Sequence, residues 1–220
     1  ACPEWDLAKL GLHLGLVYTW AGEQVRQRLT EPLDRSTLPR APEGNARIPW
    51  FLEAAARAVE GLRAAESDAP AGGWRDQTVT AGFWRRRLAH ETAVHHLDAE
   101  EAVGRAGALD AELASDGIDE VLDVFLPYAR AGAGGWPPPG ALHLVRSDGD
   151  GAWTLEPGPA DVVVHRTTSV SPARRTDAGA TVTAPALALQ RLCWGRSEPR
   201  PEQLSGDPGL ARRWLAGFRW

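Results

Sequence analysis

The sequence predicts an α plus α+β protein: an N-terminal four-helix bundle followed by a small C-terminal α+β domain. Three observations carry that reading. Within residues 1–130, four segments repeat apolar residues at intervals of three and four, the period of a helix with one buried face. Within residues 141–220, short segments alternate apolar and polar residues at period two, the mark of half-buried strands. Between them stands AGAGGWPPPG, Ala131 to Gly140, a semi-rigid Gly/Pro stretch that suits a linker.

The first helix is expected from Pro3 to about Thr30, where Leu7, Leu10, Leu14, Val17 and Ala21 recur at helical spacing and His13 falls among them. A proline-bearing loop covers Glu31 to Pro49. The second helix is expected from Trp50 to Glu66, with Phe51, Ala55, Val59 and Leu62 as its buried stripe, and SDAPAGG ends it. The third covers Ala81 to Val103. Its stripe reads Trp84, Leu88, Glu91, His95, Asp98, an apolar face whose second half carries metal-compatible side chains. The fourth, from Asp116 to Ala129, presents Ile118, Val121, Leu122 and Phe125, and four antiparallel helices can close a bundle. Beyond the linker, ALHLVR and WTLEP flank the turn SDGDG. DVVVH and ATVTA follow as strands, and helices are expected over Ala184–Arg196 and Asp207–Phe218.

Composition narrows the function classes. The formal net charge is −5 and the pI is near 5.7, so there is no overall basic field to hold nucleic acid. No apolar run reaches the length of a membrane span and no signal peptide opens the chain, so a cytoplasmic location is expected. One lysine, Lys9, stands against 23 arginines, and methionine is absent, so the natural start is expected to lie upstream of Ala1. Cys2 and Cys193 form no CxxC pair, and Cys193 sits in the apolar helical stretch LALQRLCWG as a buried structural thiol. If the protein performs thiol chemistry, the thiol is expected to come from outside.

The densest chemistry lies in LAHETAVHHLD, Leu88 to Asp98. It is not the HExxH pattern of zinc proteases, because His95 stands one residue too far from His90; at ~100° per residue the two point ~140° apart. Glu91 and His95, four apart, share one face. A lone Glu–His pair at that spacing is also an ordinary helix-stabilising pair. Its combination with His13 on the apolar side of another helix is more pointed, because an unpaired buried carboxylate is costly and a divalent cation satisfies it. Two imidazoles and one carboxylate suit zinc with its fourth position open. Asp98, one turn beyond His95, is placed to orient it. His90 and His96 lie off this stripe, on the helix surface or behind the ligands.

HLGLVYTW from His13, FWRRRLAHETAVHHLDAE from Phe83, GIDEVLDVFLP from Gly117 and LQRLCWGR from Leu189 resemble the mycothiol-dependent maleylpyruvate isomerase family, related to the DinB-like bundles. The resemblance extends over nearly the whole chain. It implies a DinB-like four-helix bundle holding a divalent metal, usually zinc, through the positions that are His13, Glu91 and His95 here, with mycothiol as thiol co-substrate. It also implies a helix ahead of the CPEW segment, and His96 stands where many relatives carry arginine.

The expected activity is therefore that of a zinc-dependent isomerase or S-transferase, in which a metal-activated thiol attacks an electrophilic small molecule. Arg196 is expected, from the resemblance alone, to bind a substrate carboxylate. Tyr18 is a candidate hydrogen-bond donor to an oxyanion, and Trp20 and Trp84 are candidate pocket walls. Two other readings stand beside it. One is a non-catalytic metal- or ligand-binding module with the same fold; the other is a C-terminal domain that carries an apolar ligand while the metal is structural.

Overall fold

The computed structural model describes residues 5–73, 78–128, 136–159, 161–168 and 179–218. Contacts divide the chain into two compact units, Ala1–Gly107 and Ala108–Trp220. Among the described residues, no helix is long and apolar enough to cross a membrane.

The first unit is built on three long helices, α1 (Leu7–Arg26), α2 (Arg47–Ala64) and α3 (Ala81–Ala102), with a two-stranded antiparallel hairpin, β1 (Pro70–Gly72) and β2 (Thr78–Thr80), between α2 and α3. Each helix that carries site residues begins at a capping side chain. Asp6 accepts from the Lys9 N–H at 2.7 Å to start α1, and Thr80 accepts from the Phe83 N–H at 3.2 Å to start α3. The core gathers Leu14, Tyr18, Trp20, Val25, Leu62, Trp84 and Leu88 from the three helices.

Of the stripe expected of α2, Leu62 is buried and Phe51 and Ala55 pack partly buried against the core, but Val59 is not. Its buried line is Ala54, Ala58 and Leu62, whereas Val59 is exposed, together with Ile48 and Leu52. Close packing against α1 is the reason. A Cβ on Gly22 would sit 3.2 Å from the Ala58 Cα, and one on Gly15 would overlap the Trp50 ring. Helices that approach this closely meet through their smallest residues, and the branched side chains are left on the outer flank.

The C-terminus of α2 is closed by Arg85 of α3, whose guanidinium donates to the carbonyls of Leu62 and Ala65 and to the Ser67 hydroxyl. The hairpin ties into the same layer. The Trp84 indole donates to the Gly72 carbonyl at 2.8 Å, and Gly72 itself runs against the Glu31 carbonyl.

The second unit contains α4 (Ala111–Glu120), which starts at Asp110 and widens into a π turn over Val121–Phe125 instead of running on regularly to Ala129. α4 packs on α5 (Ala186–Cys193), within this unit. A five-stranded sheet follows in the order β5-β4-β3-β6-β7: β3 (Leu142–Arg146), β4 (Ala152–Pro157), β5 (Val162–Thr167), β6 (Ala180–Ala184) and β7 (Leu204–Gly206). β3 and β6 run parallel, and the other pairs are antiparallel. α6 (Pro208–Ala216) closes the unit, and the expected linker Ala131–Gly140 lies partly outside the described residues.

One buried cation explains how α4 is held. Arg146 at the end of β3 reaches Glu112 of α4 at 2.7 Å and Asp148 at 2.9 Å, and Asp148 in turn accepts from the Ala186 N–H that opens α5. Asp119 of α4 adds a second tie, accepting from the Trp153 indole at 2.9 Å and from Arg166.

The two glycine environments of the first unit predict opposite substitution effects. Gly72→Ala would put a Cβ 2.2 Å from the Glu31 carbonyl oxygen, and is expected to lower stability by about 1–3 kcal/mol in urea unfolding. Gly11→Ala in α1 meets nothing within 4 Å and is expected to be neutral or to gain up to about 1 kcal/mol. Equal effects would contradict this packing.

Candidate metal centre

α1 and α3 bring three potential ligands together. His13, Glu91 and His95 each offer one ligand atom, and these atoms all lie within 4.8 Å of one another. His13 Nε2 lies 2.6 Å from Glu91 Oε1, and His95 Nε2 lies 3.5 Å from the same oxygen. The two imidazoles meet edge to face with ring centres 4.9 Å apart. Helical spacing accounts for half of this: Glu91 and His95 are one turn apart on α3. The pairing of α1 with α3 provides the rest.

Each ligand is prepared by a neighbour. Asp98, only 3% exposed, accepts from His95 Nδ1–H at 2.9 Å. That bond commits Nδ1 and leaves the lone pair on Nε2, the nitrogen that faces Glu91. For His13, burial first and then electrostatic interaction with His95, Arg35 and Arg87 lower the pKa to about 4. Its imidazole is therefore neutral at neutral pH, the form that ligates a metal. The second oxygen of Glu91, Oε2, is ion-paired with Arg87 one turn earlier on α3.

The cluster is buried on one side and open on the other. The Glu91 and His95 side chains keep 10% and 9% of their surface, whereas His13 keeps 34%, so approach is from the α1 side. Trp5 stands there, its ring 4.8 Å from that of His13 and stacked on His95 at 5.9 Å, and it is itself exposed. The donor set, the convergence of its atoms and the prepared tautomer of His95 fit a divalent cation held by three protein ligands.

The other candidates have their own partners. The buried Tyr18 bonds to Thr92 Oγ1 at 2.8 Å; because Thr92 gives its own proton to the Leu88 carbonyl, Tyr18 is the donor. Burial pushes the Tyr18 pKa up. Trp20 and Trp84 pack edge to face in the core, their indole N–H groups spent on the Leu33 and Gly72 carbonyls, and Arg35 covers Trp20. His90 is fully buried rather than on the surface, and His96 is exposed. Arg196 belongs to the second unit, where it donates to the Trp194 carbonyl at 3.0 Å. Cys193, also in that unit, is fully buried, and burial raises its thiol to about 12. Cys2 lies outside the described residues.

Two neighbours of the cluster escaped the sequence reading. Arg87 was legible in principle, since it precedes Glu91 by one helical turn. Trp5 fell inside the helix expected from Pro3, but α1 begins only at Leu7, so helical spacing could not place its ring.

Comparison with known families covers both units. Residues 1–100 match the mycothiol maleylpyruvate isomerase N-terminal domain, and residues 112–213 match the C-terminal domain of the same family. The chain belongs to the mycothiol maleylpyruvate isomerase family. No curated protein and no solved structure gives a significant match. The family boundary near residue 112 places α4 with the C-terminal domain, as the contacts do.

Two outcomes follow. Asp98→Ala is expected to weaken metal binding about 10- to 100-fold in chelator competition while helicity is kept, because His95 loses its orienting partner; an unchanged affinity would contradict that role. Cys193 is expected to resist alkylation at neutral pH in the folded protein and to react on unfolding, as peptide mapping by mass spectrometry would show.

Proposed function

We propose that this chain is a zinc-dependent enzyme that uses a low-molecular-weight thiol, mycothiol, to attack an electrophilic carbon of a small substrate, with cis–trans isomerisation as its reaction. The convergence of His13, Glu91 and His95 carries the proposal. Three protein donors, rather than four, are the complement of a catalytic zinc site, which keeps one position for a reactant. Membership of the family supports mycothiol as the thiol and isomerisation as the chemistry.

In this reading His13, Glu91 and His95 would hold the ion. Zinc supplies the Lewis acidity that lowers the pKa of a thiol, so that thiolate is abundant at neutral pH. The chain does the rest. Asp98 fixes the tautomer of His95, the neutral state of His13 keeps its lone pair available, and the buried flank of Glu91 and His95 shields the site from bulk water. Trp5 borders the approach and offers an apolar surface to an entering thiol or substrate.

The isomerisation conserves every atom. The thiolate sulfur bonds to one carbon of a double bond conjugated to a carbonyl, and the π electrons move onto the carbonyl oxygen. Rotation occurs about the new single bond. Return of the electrons expels the thiolate and restores the double bond in the other geometry. A substrate bearing a leaving group would instead retain the sulfur as a thioether, the S-transferase outcome of the same first step. The Tyr18 hydroxyl is bonded to Thr92, and the reading assigns it no step.

Cobalt-loaded protein tests the proposal. Addition of mycothiol is expected to produce a sulfur-to-cobalt charge-transfer band, and Glu91→Ala is expected to lose both the band and turnover while keeping most helicity. A cobalt spectrum indifferent to mycothiol, or full turnover by Glu91→Ala, would overturn it.

A further inference from the structure

We infer that Arg87 is a positioning residue that restricts Glu91 to one-oxygen ligation and thereby keeps a coordination position open on the metal. The inference rests on the metal-site reading above and deepens it.

The observation is the division of labour between the two oxygens of one buried carboxylate. Oε1 faces the histidines, 2.6 Å from His13 Nε2 and 3.5 Å from His95 Nε2. Oε2 is turned away from them and ion-paired with Arg87 Nη2. Arg87 is about as buried as Glu91, at 9% and 8% exposed, so this pair is not a solvent-screened surface contact. The helix explains why Arg87, of three consecutive arginines, takes this role. Arg87 lies one turn before Glu91 on the same face, whereas Arg85, two residues earlier, points to the opposite flank and closes the end of α2.

Two consequences follow for an ion at the cluster. The first is geometric. A carboxylate with both oxygens free can ligate through both, and with two histidines that would make four protein donor atoms, so that any further ligand raises the coordination number to five. With Oε2 engaged by a guanidinium, Glu91 presents Oε1 alone, and three single-atom donors leave a position for an incoming sulfur. The second is electrostatic. The permanent cations of Arg87, beside Oε2, and of Arg35, which acts on His13, favour an anionic ligand such as a thiolate at the ion.

The test uses cobalt(II) as the only probe, with no thiol present. Wild-type protein is expected to give the intense visible bands of a four-coordinate site. Arg87→Met, which keeps the apolar stem and removes the cation, is expected to give bands several-fold weaker, because Glu91 then ligates through both oxygens and coordination number rises. Arg87→Lys, which restores a cation beside Oε2, is expected to recover most of the intensity. Should Arg87→Met fail to fold by circular dichroism, Arg87→Gln carries the same comparison with a neutral donor. Wild-type band shape and intensity in the folded Met or Gln variant would overturn the inference. Because no thiol is involved, wild-type protein that binds cobalt but ignores mycothiol would defeat only the thiol reading; wild-type protein that takes up no cobalt would overturn both.

Discussion

The buried carboxylate of Glu91 is the constraint around which the first unit is organised. An ionised acid removed from water is tolerated only with partners on both oxygens. Arg87 satisfies one from the same helix, and His13 and His95 surround the other. Because His13 comes from α1, the carboxylate also links α3 to a residue 78 positions earlier in the chain. The close crossing of α1 on α2, through Gly15, Gly22 and Ala58, helps fix where α1 lies. Packing by small residues on one side of α1 and polar convergence on the other are thus parts of one arrangement.

Much of the site was legible because a helix converts spacing into direction. Glu91, His95 and Asp98 recur at four and three residues, and that alone puts them on one face whatever the tertiary fold. His13 could be read from its position among apolar residues of α1. The orientation of Tyr18 was not legible, since its partner Thr92 is 74 residues away and only the packing of α1 on α3 brings the hydroxyls together. Trp20 and Trp84 were read as pocket walls by nearness in sequence to the ligands. Their indole N–H groups needed buried acceptors, and the backbone carbonyls of Leu33 and Gly72 placed them in the core instead.

The fold shows the same division. Helix positions and the main strands follow from periodicity, but short strands such as β1, β2 and β7 span three residues each, too few for a pattern to emerge. The buried face of α2 departed from the expected stripe at Val59, because size, not apolar character, decides which residues meet at a close helix crossing: Ala54 and Ala58 lie inward and Val59 outward. The fourth helix was read from its periodicity as part of the first bundle. What assigns α4 to the second unit is long-range, the reach of Arg146 to Glu112 and of Trp153 to Asp119, and nothing in the local sequence of α4 encodes it.

The central claim is that one ion is gripped by two imidazoles and a single carboxylate oxygen, with a place left for sulfur. X-ray absorption at the zinc edge of the loaded protein measures this directly. The account predicts a shell of nitrogen and oxygen with the outer scattering of two imidazoles and no sulfur, and then one sulfur at about 2.3 Å once mycothiol is added. Sulfur in the thiol-free spectrum, fewer than two imidazoles, or a shell unchanged by the thiol would contradict it.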